Sequence, residues 1–431
     1  MKVGRTIPPE KQIYRDAETG RTVTHWTGDA RHNLGHYYHQ NMFDPQRGLA
    51  YFASDGSGSY QVWRVSLDDG RLTQVSDFDG FGECLSGSDE RTNAAHSAAY
   101  VSRHSGRVYV AGRQQIGVID PDSLECRVVY DNRKPKRDRD ERYLREVSVF
   151  PSYDDRWVYS YSVFASDAEV DAAKQFAQAV MSARQRAGQI VQGCYHHAPY
   201  GMRESPLEHV ILRVEVATGK IEELWRGHWW IQHVQVCPTD PDLVTFVWAA
   251  LCRPPKPKYH LLRAGETPKI LVTDEPNFAF FHDFWHPNGK MWLTHACENL
   301  APGEVYAPIP GKMKFYVCEV DVGDFLKTEK ADVKRSYETA GESHVHMHLN
   351  IAPGGSFLVG DGQSDVPYIC RLDYQPDLTL KASALCRIGY CTGKSGGIET
   401  SPNVQVSPDG RQCFFTAYRG DRSYLASVEC A

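Results

Sequence analysis

The chain has 431 residues, 41 % hydrophobic and 24 % charged, which excludes disorder as its main state. Its 54 acidic and 48 basic residues leave a net charge of −6, so the chain as a whole offers no basic footprint for nucleic acid. The one basic run, Arg133, Lys134, Lys136, Arg137 and Arg139, is interleaved with Asp138, Asp140 and Glu141 and reads as a solvated loop. The opening MKVGRTIPPE has no apolar segment behind its charges, and no run approaches the roughly 20 apolar residues of a membrane span. Twelve scattered cysteines without a Cys-x-x-Cys pair then suggest reduced thiols. The expectation is a cytoplasmic protein with no membrane and no nucleic-acid partner.

In chain order, residues 11–28 read first as a strand, a turn and a strand. A phrase then recurs: an apolar strand, Pro-x-x-Gly or Pro-x-Gly, and a second apolar strand. It appears as MFDPQRGLAYFAS from Met42, and in weaker form as AYVSRHSGRVYVAG from Ala99, VFPSYDDRWVYSYS from Val149 and VQVCPTDPDLVTFVW from Val234. It returns as HDFWHPNGKMWLTH from His282, HLNIAPGGSFLVGDG from His348 and NVQVSPDGRQCFFTA from Asn403. Pro pre-sets φ for a tight turn and Gly accepts positive φ, so each phrase predicts a hairpin. The turn positions are Pro45, Arg103, Pro151, Pro238, Pro287, Pro353 and Pro408, spaced by 58, 48, 87, 49, 66 and 55 residues. Four strands roughly every 50 residues, seven times, predict an all-β fold: a seven-bladed β-propeller filling residues 1–431 as one domain. The last copy is short, so residues 11–28 are expected to complete the final blade and close the ring.

The 87-residue spacing marks an insertion. Residues 166–193 lack β-branched alternation, and Ser166 with Glu169 makes a capping box. Val170, Ala173, Phe176, Ala177, Val180 and Met181 form one stripe at helical spacing, which predicts a helix inserted in the third blade.

In a propeller the first strand of each blade lines the central channel. Five residues before each turn position stand Gln40, Ala98, Glu146, His233, His282, His348 and Asn403. Two residues further back, on the same strand face, stand Tyr38, His96, Leu144, Ile231, Phe280, His346 and Ser401, with His36, His39 and His344 near by. Any one of these histidines alone is more often structural. As an aligned set converging on one channel they read as a functional site. Neutral imidazoles serve as general bases and as ligands of borderline divalent metals. No Gly-x-Ser-x-Gly, Gly-x-Gly-x-x-Gly or Walker loop occurs, so a hydrolase elbow, a dinucleotide fold and a P-loop are unsupported. The abundant aromatic residues suit a sugar site. Arg91, Arg142, Arg145, Arg203 and Lys394 flank the channel strands and are candidates to meet an acidic sugar.

The phrases GRTIPPEKQIYRDAETGRTVTHWTG, HYYHQNMFDPQRGLAYFASDGSG, FHDFWHPNG, HLNIAPGGSFLVGDG and NVQVSPDGRQCFFTAYRG resemble those of oligogalacturonate lyases, from Gly4 to about Leu425. The resemblance implies a seven-bladed propeller that cleaves short pectic oligomers by β-elimination with a divalent metal, typically Mn, held by histidines. It aligns a metal-binding histidine with His282 in His-Asp-Phe-Trp, the catalytic base with His233, and the histidine of the family's Ser-His stretch with His348. The last blade departs from the family: Ser401-Pro402-Asn403 stands where two histidine ligands are expected, Ile398 where a glutamine ligand is, and Val210 where an arginine is.

The resulting expectation is a lyase acting on a 4-linked uronate. His233 is the base, Arg203 or Arg145 the carboxylate partner, and Tyr200 or Tyr38 the leaving-group acid. His36, Tyr38, His39, His96, Arg91 and Lys394 are expected to bind substrate. His282, His346, His348 and Asn403 are expected to hold the ion: Mn first, with Zn, Ni or Ca as alternatives. The alternatives at this level are a non-catalytic propeller that binds an acidic sugar or a protein, and a sugar hydrolase or epimerase on the same scaffold. The uronate used and homodimer formation stay open.

Overall fold

The computed structural model describes residues 3–431 apart from 83–94, 146, 187–203, 250–254, 299–313, 339–345, 363–367 and 389–401. Its strands form the seven blades of a β-propeller. Blade 4 shows the unit plainly: Ile231–Val236, Leu243–Trp248, Lys256–Arg263 and Lys269–Asp274 pair in order, all antiparallel. Blade 2 repeats it with Ala99–Val101, Val108–Gly112, Gln115–Ile119 and Cys126–Asp131. Blades 5 and 6 open on Phe278–Trp285 and His346–Ile351. Their outermost strands join in a short parallel contact, Tyr337 with Thr379 and Glu338 with Leu380, so the two blades share one eight-stranded sheet.

The proline hairpins form for a local reason. In the turn of blade 5, Gly289 has φ +67° and its N–H donates to the His286 carbonyl at 2.9 Å. A Cβ on Gly289 would lie 1.9 Å from Thr239 Oγ1 in the neighbouring blade, so both conformation and packing require glycine. Packing between blades explains why the second strands are apolar on both faces. All six residues of Leu243–Trp248 and all five of Val108–Gly112 are buried. Cys237, Leu243, Trp292 and Phe325 belong to one core cluster spanning blades 4 and 5.

The N-terminal segment closes the ring. Thr22–His25 pairs with Arg422–Glu429, and Gln12–Arg15 adds outside it, so blade 7 takes two strands from the start of the chain and three from its end. Trp26 Nε1 donates to Ser427 Oγ at 3.0 Å, and Arg21 donates to the Ala431 carbonyl oxygen. Thr6–Ile7 pairs with Leu72–Gln74 on the rim of blade 1, a contact the repeat pattern did not suggest.

The inserted helix, α1, runs from Asp167 to Arg186 in blade 3, between Trp157–Ala165 and Glu208–Glu215. Glu169 accepts from the Ser166 N–H at 2.7 Å, and Ser166 Oγ accepts from the Glu169 N–H at 3.3 Å. Of the expected apolar stripe, the described side chains do not all pack against the blade. Val170 is buried, but Phe176 is 48 % exposed, because α1 is anchored through its first turn, where Arg145 and Tyr143 bind Asp167. The side chains of Ala177, Val180 and Met181 lie outside the described residues. No described helix is long and apolar enough to cross a membrane. The described cysteines carry free thiols.

His260 shows what the blade interior costs a polar ring. It is 1 % exposed, stacks on Phe246 at 5.1 Å, and neither ring nitrogen has a hydrogen-bond partner among the described residues. Burial lowers its pKa from 6.5 to about 4. The folded protein therefore keeps it neutral while the unfolded chain binds a proton. Its contribution is complete above pH 6.5 and is lost progressively as pH falls towards 4. His260→Leu is expected to reduce the acid-side slope of unfolding free energy by up to about 1.4 kcal/mol per pH unit in that window, measured by urea denaturation.

Candidate active site

Three consecutive blades share one irregularity in the strand that lines the channel. The ladder shifts register between Gln232 and Gln235 in blade 4, between Phe280 and Asp283 in blade 5, and between His346 and Leu349 in blade 6. Such bulges leave a residue unpaired and re-aim its side chain. His233, His282 and His348 lie inside these three bulges. His233 has φ +48°, a left-handed conformation disfavoured for a residue with a Cβ. Asn403, ahead of the inner strand of blade 7, has φ +55°. The three imidazoles meet: the His233 and His282 rings are 5.1 Å apart and nearly parallel, and those of His282 and His348 are 4.7 Å apart.

Two carboxylates with fully buried side chains back these rings. Asp361 accepts from the His348 N–H at 2.6 Å, from His348 Nδ1 at 2.9 Å and from the Asn403 N–H at 3.1 Å, tying blade 6 to blade 7. Asp283 Oδ2 accepts from Trp292 Nε1 at 3.0 Å and from Thr245 Oγ1 at 3.4 Å. Asp283 Oδ1 lies 3.7 Å from His233 Nδ1.

The segment 36–40 packs against this cluster from blade 1. The inner edge of that blade is broken into Asn33–Gly35 and Phe43–Asp44, and the chain between them turns, with the Gln40 N–H donating to the Tyr37 carbonyl at 2.7 Å. Gln405 holds the turn from blade 7 by donating to the carbonyls of His36, Tyr37 and Gln40 at 3.2, 3.1 and 2.8 Å. Tyr38 reaches to blade 5 and donates to the Asp283 carbonyl at 2.8 Å. Tyr37 lies among the histidines: its hydroxyl is 3.3 Å from His233 Nε2, and its ring centroid is 4.8 Å from His39 and 5.2 Å from both His96 and His348.

The sequence-derived residues thus fall into groups. His233, His282, His348, His39 and His96 come together, with Asn403 beside Asp361. His36 does not face the cluster as a ligand would. It is fully buried, its Nδ1 is 3.4 Å from the Asn41 carbonyl, and burial lowers its pKa to about 4. Tyr38 is 1 % exposed with its hydroxyl bound to a carbonyl; burial, then the charge of Asp283, raises its pKa well above 10.0. That makes it a strut, not a substrate contact or a leaving-group acid. Arg145 is 5 % exposed and ion-paired to Asp167 at 2.6 Å, so its guanidinium holds the start of α1 instead of meeting a sugar carboxylate. Arg91, Tyr200, Arg203, His344 and Lys394, and the side chain of His346, lie outside the described residues. The bulge at His346–Leu349 interrupts the strict alternation on which a shared face for His346 and His348 rests. Sequence reasoning missed Tyr37 and His295, which stacks between Phe281 and Phe315, 5.6 Å from His282. Tyr37 is adjacent to the tyrosine that was counted, and the only sequence signal for it was the density of HYYH.

Burial, then the neighbouring imidazoles of His233, His348 and His96, holds the pKa of His39 well below 6.5. For a metal, the described residues supply part of a site. His348 gives Nδ1 to a buried carboxylate, the arrangement that orients an imidazole ligand through its other nitrogen. Its ring lies 4.7 Å from that of His282. Among the described residues no group of three or more His, Cys, Asp or Glu side chains is arranged to hold an ion.

Fold and cluster together define a seven-bladed β-propeller whose central residues are imidazoles over buried carboxylates. The solved structures it resembles include an oligogalacturonate lyase in complex with manganese, at a TM-score of 0.74 and 17 % identity, covering 100 % of this chain and 98 % of that one. They also include the oligogalacturonate lyase of Vibrio parahaemolyticus, at 0.73 and 14 %, covering 100 % and 99 %. The hydrazine synthase of Kuenenia stuttgartiensis follows at 0.52 and 12 %, covering 92 % and 96 %. Neither a protein-family model nor a curated protein matches the sequence. At these identities the likeness shows the fold, and it extends the resemblance seen in the short phrases to the architecture of the whole chain.

Asp361 is the support to test. Asp361→Ala leaves the buried His348 and Asn403 N–H groups without their acceptor and is expected to destabilise the protein by about 2–5 kcal/mol in chemical denaturation.

Proposed function

We propose that the protein is a lyase that cleaves a 4-linked uronate oligosaccharide by β-elimination. The observation that carries this reading is the convergence of His233, His282 and His348 from equivalent bulges of consecutive blades, in a fold shared with oligogalacturonate lyases.

The chemistry asks for two things. The C5–H of a uronate is α to a carboxylate and becomes acidic only when that carboxylate is neutralised. A base must then meet the proton. A divalent ion, manganese first, would supply the neutralising charge when bound, held by His282 and His348 with His346 and Asn403 as further ligands. His348 is fixed for this by Asp361, and His282 by its bulge. His233 is the base. Its Nδ1 is turned to Asp283, which leaves Nε2 as the nitrogen that takes the C5 proton. His39, kept neutral by burial, adds no repelling charge when His233 becomes protonated. Arg203 remains a candidate second partner for the sugar carboxylate. The product is a sugar with a C4=C5 double bond, conjugated to the carboxylate.

The test is the ultraviolet absorbance of that conjugated bond in a panel of 4-linked uronate oligosaccharides. Wild type is expected to raise it on at least one member. His233→Ala is expected to lose roughly 10²–10⁴-fold in kcat with bound metal unchanged. His282→Ala is expected to lose metal, by elemental analysis, and activity together. Full turnover after exhaustive chelation, with no metal in the purified protein, contradicts the metal half of the proposal.

A further inference from the structure

Tyr37 is the aromatic residue most enclosed by the histidines, and nothing in the reading so far uses its hydroxyl. Its ring lies against His39, His96, His233, His282 and His348, at centroid distances from 4.8 to 6.5 Å. It is half-buried. The hydroxyl is placed by its backbone: the 36–40 turn is held by three hydrogen bonds from Gln405 and by Tyr38 on Asp283.

The hydroxyl is 3.3 Å from His233 Nε2, while on the other side of that ring Nδ1 faces Asp283 Oδ1 at 3.7 Å. At that distance the two are not hydrogen-bonded, and neither Nδ1 nor Oδ1 has a hydrogen-bond partner among the described residues. An acceptor-only carboxylate on the Nδ1 side electrostatically favours the ring proton on Nδ1. Nε2 is then the acceptor and the Tyr37 hydroxyl the donor. The phenol stands on the Nε2 side of the imidazole and the carboxylate on its Nδ1 side.

Resting on the lyase reading above, we propose that Tyr37 is the catalytic acid that protonates the leaving oxygen, paired with His233 so that the proton taken from carbon returns to the phenol. The proton balance closes. Substrate displaces the Tyr37 hydroxyl from Nε2, and Nε2 takes the C5 proton. The C5–H electron pair becomes the second bond of C4=C5, and the C4–O4 bond breaks. Tyr37 gives its proton to O4, leaving a phenolate beside an imidazolium. When product leaves, the imidazolium returns its proton to the phenolate across the contact seen here. Two bonds break in the sugar, one C=C and one O–H form, and no outside acid, base or oxidant is consumed. Asp283 acts through His233 and is a positioning residue.

The test uses Tyr37→Phe, which keeps the ring and removes the hydroxyl, with two substrates: the oligosaccharide that wild type turns over, and a uronide carrying a nitrophenyl group on O4. A nitrophenolate leaves without an acid, so only the natural leaving group needs Tyr37. The expected result is a fall of roughly 10²–10⁴-fold in kcat on the oligosaccharide and a change of under about tenfold on the aryl substrate. His233→Ala should lose both. Undiminished turnover of the oligosaccharide by Tyr37→Phe overturns the assignment. Equal loss on both substrates also overturns it, because the hydroxyl then serves His233 and not the leaving group. If wild type forms no unsaturated product from either substrate, the lyase reading itself fails and the acid assignment falls with it.

Discussion

A carboxylate without solvent exposure, Asp283, stands at the junction on which this site depends. Burying such a charge is unfavourable unless it is hydrogen-bonded. Here Trp292 and Thr245 satisfy one oxygen, and the other is turned to His233. The backbone carbonyl of the same residue accepts from Tyr38 of blade 1 and from Gln235 of blade 4 at 2.8 Å each. One residue therefore joins three blades and places a buried carboxylate oxygen 3.7 Å from the His233 ring. Asp361 does the same work one blade further on, binding His348 and the Asn403 N–H. The imidazoles are thus mounted on rigid, buried supports, which is what a site needs if its groups are to meet a substrate without reorganising.

The fold was legible in the sequence because its unit repeats. A proline hairpin between apolar strands has a local cause, and seven such hairpins have one closed solution. His233, His282 and His348 were legible for a related reason: equivalent blades put equivalent positions in the same channel. What escaped was whatever broke the period. Blade 1 has a turn at 36–40 where the count assumed a strand, so counting by two selected Tyr38, a buried strut, and passed over Tyr37. The bulges also remove the alternation that was used to put His346 beside His348. Arg145 was misread because an arginine near the channel strands was taken as free, whereas the inserted helix brings Asp167 to it. The buried acids Asp283 and Asp361 gave no sequence signal as supports, since nothing in HDFW or GDG says that a carboxylate will face a histidine.

Fold likeness and site chemistry carry different parts of the account. The fold likeness extends to a hydrazine synthase, a protein named for a different chemistry. The functional reading therefore rests on the imidazole cluster and its buried carboxylates. The changed last blade, with Asn403 where the oligogalacturonate lyase pattern leads one to expect histidine, sits beside the same Asp361 that fixes His348.

Elimination and hydrolysis of the same glycosidic bond differ by one water molecule. Hydrolysis adds water across the bond, and elimination does not. The most direct measurement is turnover of a 4-linked uronate oligosaccharide in water enriched in heavy oxygen, with the products weighed by mass spectrometry. The account predicts two fragments whose masses sum to that of the substrate, with no heavy oxygen in either. Fragments heavier by one water, labelled at the new reducing end, would contradict it and make the protein a hydrolase. Binding of the oligosaccharide with no fragments at all would make it a sugar-binding propeller.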